Sequence, residues 1–253
     1  MLFAGAAGGI VTHEPAFGVA AKQIPPNRQE QALAAGYAVV DQTFLVATHF
    51  SEPIKQNVPE LLARQEICRF TDSLNETQPK LVEELVPKLL SLVEVQKVLQ
   101  QLLREQVPIR DLTTILETLA DTASVNKQPV VMVEAVRQAL GRSLVRPLLS
   151  EDGKLRLATL DPSLEEEMIR AFDPQSSATQ GAGLQSSFSS RLLKGMQRLF
   201  GDQASAASPV LLCATPARFH LRRLLEPFLP RVVVLSPAEI PASVQVQSLG
   251  LVS

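Results

Sequence analysis

Residues 209–235 read PVLLCATPARFHLRRLLEPFLPRVVVL. Pro209-Val-Leu-Leu-Cys213 is a short apolar run with strand character. Thr215-Pro216 supplies a capping residue and a proline where a helix should open, and helix formers continue to about Leu229. Arg231 to Leu235 is a second apolar run. Strand, helix, strand over so short a span predicts a right-handed parallel unit.

Outward from this unit the pattern continues. Lys154 to Thr159 alternates like a half-buried strand, and Asp161-Pro162 opens a helix to about Phe172. Asp173 to Ser187 is rich in Ser, Gln and Gly and is expected to be a flexible loop, with a helix following over about Ser189 to Phe200. Val244 to Leu249 suits one more strand. Residues 148–253 are therefore expected to form a small α/β subdomain.

Upstream, residues 57–147 are helical in character. Pro59 is expected at the first position of a helix reaching Leu74, and Pro79 opens another. Ser91 with Glu94 three residues on is a capping box. Behind it Leu92, Val95, Leu99, Leu102 and Leu103 share one face. Pro108 is expected to start the next helix, whose face is Ile109, Leu112, Ile115, Leu116 and Leu119, and a third runs from Pro129 to Leu144. Such helices joined by short connections predict a compact helical subdomain.

Residues 1–56 are less regular. Ala4 to Gly9 is small and Gly-rich, and His13 to Gly18 has irregular punctuation. Asn27 is expected to cap a short helix ended by Gly36, Tyr37 to Val40 to form a buried strand, and Asp41 to cap a helix to about Gln56. Leu2, Phe3, Val19, Val39 and Val40 have few partners in this stretch, as in a subdomain that is incomplete. The fold class is thus α+β with several subdomains: a partial α/β piece, a helical middle and a C-terminal α/β part. No fixed-period repeat is present.

The chain has 253 residues and a net charge of −2, so it lacks the basic excess of a phosphate-tracking surface. Aromatics are 4% with no Trp, which disfavours stacking platforms for bases or sugars. Cys68 and Cys213 lie far apart and form neither a disulfide framework nor a zinc site, which suits a reducing compartment. No apolar run approaches the ~18 residues of a membrane span, and no basic region precedes an apolar one at the start. A soluble, cytoplasmic chain is expected.

Catalytic signals are weak. His13, His49 and His220 have no metal spacing. His49 reads more simply as a packed or capping residue than as a base, and a hydrolase or transferase built on His49 or Asp111 would need a nucleophile within reach. His220 sits with Arg218, Arg222 and Arg223, most simply the solvated face of a helix. Gly5 to Gly9 matches no dinucleotide fingerprint, and neither a P-loop nor a nucleophile elbow is present. Glu165-Glu166-Glu167 suits a first helical turn. Cys213 suits a core position. The expectation is a protein that is not an enzyme, with no cofactor and no metal. Phe17, between Pro15-Ala16 and Gly18, either plugs a local core or lines a shallow apolar depression with Val40, Leu45 and Thr48; the residues alone favour the plug.

Longer blocks add a resemblance. Glu14-Pro-Ala-Phe-Gly18, Gly36-Tyr-Ala-Val-Val-Asp41 and Val46-Ala-Thr-His49 are followed by Leu62-Ala-Arg-Gln-Glu66, the stretch from Val107 to Ala120 and Val136-Arg-Gln-Ala-Leu-Gly-Arg142. In order and spacing they resemble the FlhA/injectisome family of type III protein export gates, in the C-terminal cytoplasmic part of its flagellar members. Pro209-Val-Leu-Leu and Val232-Val-Val-Leu-Ser236 are similar to the family's last subdomain. The resemblance implies a cytoplasmic docking platform beneath the bacterial inner membrane, ring-forming as a nonamer in the full-length protein. It further implies contacts with export chaperone–substrate complexes and with components of the export ATPase complex, for ordered export of flagellar subunits. The homologous gate of a virulence-type injectisome is the alternative, and a gene fragment without function of its own is another. The family's chaperone-docking depression maps onto Glu14, Phe17 and Thr48, with Val40 and Leu45 as further lining residues, which raises the binding role of Phe17 over the plug. Lys22-Gln23 stands where the family usually carries an apolar or aromatic pair.

Overall fold

Three short strands open the chain: β1 (Leu2–Phe3), β2 (Ile10–His13) and β3 (Ala20–Gln23). They pair antiparallel in the order β1-β3-β2. The computed structural model describes residues 2–3, 10–13, 20–172, 181–200 and 209–252, and the chain divides into two units, 1–61 and 62–253.

In the first unit His13 belongs to β2, opposite Ala20, so regular structure reaches one residue into the stretch expected to be irregular. A 3-10 turn at Pro26–Arg28 leads into α1 (Gln29–Ala34). Asn27 lies inside that turn and does not cap α1, because Pro26 already starts the turn. Gly36, at φ +81°, closes α1: its N–H donates to the Leu33 carbonyl and that of Tyr37 to Ala32. That use of its N–H is one reason Tyr37 to Val40 do not form the expected strand; only Val40 makes an isolated bridge. Tyr37 and Val39 instead pack on Ile24 and Ala32. Asp41 caps α2 (Gln42–Leu61) by accepting the Phe44 N–H at 2.6 Å. This helix passes through Pro59, which opens nothing: loss of one N–H in the last turn does not end the ladder.

The second unit begins with α3 (Arg64–Thr77), preceded by extended Ala63, and α4 (Pro79–Glu83). An irregular turn at Glu84–Leu89 precedes α5 (Leu92–Arg104). Its capping box is formed: the Glu94 N–H donates to Ser91 Oγ at 3.3 Å and the Ser91 N–H to Glu94 Oε2 at 2.7 Å. The Ser91 N–H and hydroxyl, both donating to Glu94 Oε2, hold the Glu94 carboxyl below its usual range. Ser91→Ala should therefore cost about 1 kcal/mol in a urea unfolding titration, and no loss would mean the box is not formed in solution.

Next come α6 (Leu112–Val125), α7 (Pro129–Ala139) and α8 (Gly141–Val145). α6 starts at Asp111, whose Oδ1 accepts the Thr114 N–H at 3.1 Å; Pro108 lies in the irregular link between α5 and α6. The helix expected from Pro129 to Leu144 is interrupted at Leu140, which separates α7 from α8. Val95, Val98, Leu99 and Leu102 of α5 pack against Ile115, Leu116 and Leu119 of α6 and Met132, Val133 and Val136 of α7.

The remainder is α/β: β4 (Lys154–Leu160), α9 (Pro162–Phe172), α10 (Gly181–Phe200), β5 (Val210–Leu212), α11 (Thr215–Leu225), β6 (Val233–Leu235) and β7 (Gln245–Val252). α10 begins at Gly181, inside the stretch expected to be a loop, of which residues 173–180 lie outside the described residues. The sheet runs β6-β5-β4-β7 and every neighbouring pair is parallel. Central β4 is covered on both faces. Leu155 and Leu157 meet Val145, Val210 and Leu235. Ala158 and Leu160 meet Leu164, Met168, Leu192, Met196 and Leu221. The Ala214 N–H, just before α11, donates to Glu165 Oε1 at 2.6 Å, so Glu165 ties α9 to the sheet.

Candidate docking surface and buried charge network

Of the five residues expected to form a docking depression, Glu14 and Phe17 lie outside the described residues. Val40, Leu45 and Thr48 are half-buried. Leu45 and Thr48 are three apart and share one side of α2. The Thr48 hydroxyl donates to the Phe44 carbonyl at 2.8 Å, and the Thr48 carbonyl accepts from Ser51 Oγ at 3.1 Å. Its donor is thus spent on its own helix, leaving its lone pairs and methyl group for any visitor.

The more exposed apolar surface of α2 lies on another side. Val46, Phe50, Ile54 and Leu61 recur at helical spacing and are all more than half exposed, as is Phe44. The His49 ring stands edge-on to Phe50, with centroids 6.1 Å apart. The signal for this row in the sequence is the spacing 46, 50, 54, on a side of the helix other than that of Leu45 and Thr48. Large apolar side chains left in water at such spacing mark an interaction surface rather than a core.

In the second unit the arginines around His220 are only in part a solvated face: Arg223 is exposed, while the other two are not. Arg218 is fully buried and Arg222 nearly so, because α11 packs its N-terminal half against the helical layer. Arg218 donates to both oxygens of Glu134 and to Glu105 Oε2 at 2.6 Å. Arg137 reaches Glu105 Oε2 at 3.0 Å and also bonds Glu239 and the Val234 carbonyl. Three carboxylates and two guanidiniums thereby join α5 and α7 to α11 and to the turn after β6. Burial alone would raise the Glu105 carboxyl, but Arg218 and Arg137 beside it outweigh that and hold it below its usual value. At Glu134 burial wins over the bonds from Arg218, and the carboxyl is pushed up. Burial also lowers His220, helped by Arg223.

Of the two candidates for a catalytic role, His49 is exposed on α2 beside Phe50. Asp111 is engaged in capping α6 through Thr114. Burial and the nearby Glu165 push the Cys213 thiol far up, as befits a core residue. Among the described residues no three His, Cys, Asp or Glu side chains gather to hold a metal ion, and no helix is long and apolar enough to cross a membrane.

Comparison with known proteins bears on this arrangement. A model of the FHIPEP family matches residues 3–245. The flagellar biosynthesis protein FlhA of Bacillus subtilis is 37% identical over 246 residues, which is 96% of this chain and 36% of that protein. The chain thus spans about a third of the length of such relatives. Among solved structures, the Chlamydia pneumoniae CdsV and CdsO protein complex matches with a TM-score of 0.79 and 28% identity, covering 92% of this chain and 68% of that one. The nonameric EscV cytosolic domain from the type III secretion system matches with a TM-score of 0.73 and 27% identity, covering 92% and 69%.

Proposed function

The chain belongs to the FHIPEP family, and from that premise we propose that it is part of the cytoplasmic platform of a bacterial flagellar type III export gate. Its role there is to dock export chaperone–substrate complexes so that flagellar subunits leave in order. It acts by binding and carries out no catalysis. The observation that supports the flagellar assignment is 37% identity to a flagellar relative along nearly the whole chain. The injectisome alternative rests on the EscV domain of a type III secretion system, which is less similar at 27%. We propose a place at the cytoplasmic face of the inner membrane, held by parts of a longer protein. Assembly into a ring is suggested by the nonameric EscV domain, and contact with the export ATPase complex by the CdsV and CdsO complex.

The docking role draws on the first unit. Glu14, Phe17 and Thr48, with Val40 and Leu45, are the proposed contacts, and the exposed apolar row on α2 is the kind of surface that accepts an amphipathic segment. An aromatic anchor in a shallow apolar depression carries a large share of such binding. In a calorimetric titration with a flagellar export chaperone bound to its filament-type substrate, Phe17→Ala should weaken binding by about tenfold or more while the melting temperature stays unchanged. Equal affinity for the two chains would remove Phe17 from the site, and no binding by either would remove the docking role.

A further inference from the structure

The outer edge of β7 is the feature that the docking reading leaves unused. β7 is the longest strand of the sheet, among the described residues pairs only with β4, and carries no charge and no proline. Edges of this length are normally blunted by lysine, proline or short strands. The one blunting device here is the bulge that puts Leu249 out of register between Leu157 and Ala158. Among the described residues, no hydrogen bond other than those to β4 engages the backbone of residues 245–251. The family match ends at residue 245, where β7 begins.

Register sets the character of the two faces beside this edge. Gln245 pairs with Lys154 and Gln247 with Arg156, so these four side chains share one face. Val246 lies on the other, beside Leu155, and is 48% exposed; Leu251, beyond the bulge, is 57% exposed. Among the described residues the carboxylate partner of Arg156 is Asp152 at 3.7 Å, with both side chains about half exposed. A strand added outside β7 would continue a basic, amide-bearing face on one side and meet exposed aliphatic side chains on the other.

We propose that the edge of β7 accepts an extended segment of a partner polypeptide, with aliphatic residues alternating with acidic ones. Backbone bonds to the free edge supply affinity, and the alternation supplies selection. A second copy of β7 is the poorer occupant, since its own sequence offers no carboxylate to Lys154 and Arg156. The proposal rests on the reading of this chain as a docking platform, but on a part of it remote in sequence from Phe17.

The test is fluorescence anisotropy at neutral pH with the full chain and a labelled, end-capped peptide of about ten residues alternating Val and Glu. A Val–Lys peptide is the control. The Glu peptide should bind at least about tenfold more tightly than the Lys peptide, and Arg156→Glu should remove that preference. Val246→Asp should weaken the Glu peptide to a similar degree, and circular dichroism melts check that both variants fold. Equal binding of the two peptides, or a preference that survives Arg156→Glu, overturns the proposal. So does self-association of the chain that Val246→Asp abolishes, which would make a second copy the occupant. Chaperone–substrate capture should be unaffected by Arg156→Glu; its loss together with the peptide preference would overturn the independence of the two sites.

Discussion

Arg218→Met should lower the unfolding free energy by about 3–5 kcal/mol, the usual cost of removing one partner from a buried ion pair. The size follows from what remains. Arg218 is fully buried and holds Glu134 and Glu105 at once, so its loss strands two buried carboxylates, with Arg137 left to serve Glu105 alone. Burial by itself would lower the Arg218 pKa, yet hydrogen bonding and charge from Glu134 and Glu105 raise it, so the guanidinium stays charged at any working pH. Adding Glu134→Met should recover part of the loss, because one of the stranded charges is then gone. Urea titrations of the two single variants and the double variant measure the coupling; simple additivity would show that Arg218 and Glu134 do not interact in solution.

The pH dependence has a definite sign. Glu105 has a lowered pKa in the folded chain, so its stabilisation is full above about 4.5, its unperturbed value, and fades as pH falls through the folded value. Glu134 has a raised pKa, so its contribution is full below about 4.5 and is lost as pH rises through the folded value. The two oppose each other, and acid should not loosen the network until Glu105 itself takes a proton.

Gly141→Ala should cost about 1–3 kcal/mol, the range for forcing atoms into packed space. An alanine Cβ would lie 2.3 Å from the Glu239 carbonyl oxygen and 3.2 Å from its carbon, and both are backbone atoms. The sign is informative, since Gly→Ala in an open helix is worth up to ~1 kcal/mol of stabilisation. A stabilised variant would mean that α8 does not press on the turn after β6. Any shift of Glu239 also moves the carboxylate that Arg137 holds. Gly141→Ala and Arg218→Met should therefore be non-additive in the same urea titrations.

Much of the local structure was legible. The capping box at Ser91, the cap at Asp41, the helical stripes of α5 and α6 and the parallel pairing of β5 with β6 all follow from residues within a few positions of one another or from one short crossover. Two prolines do not start helices: Pro59 lies inside the last turn of α2, and Pro108 lies in the irregular link before Asp111, which caps α6. Of the proposed docking surface, the sequence carries only local spacing. Leu45 and Thr48 do share a side of α2, but the exposed row at Val46, Phe50 and Ile54 depends on which face the fold leaves uncovered.

The sequence alone determined the fold class, the helical middle and the parallel α/β end, because capping, periodicity and crossover rules act over short separations. Tertiary structure decided what became of the charges. Arg218 meets Glu134 across 84 positions and Glu105 across 113, and Arg137 meets Glu239 across 102. An arginine on α11 looks the same in sequence whether it faces water or another layer, and only packing of α11 against α7 turns a basic cluster into a buried joint.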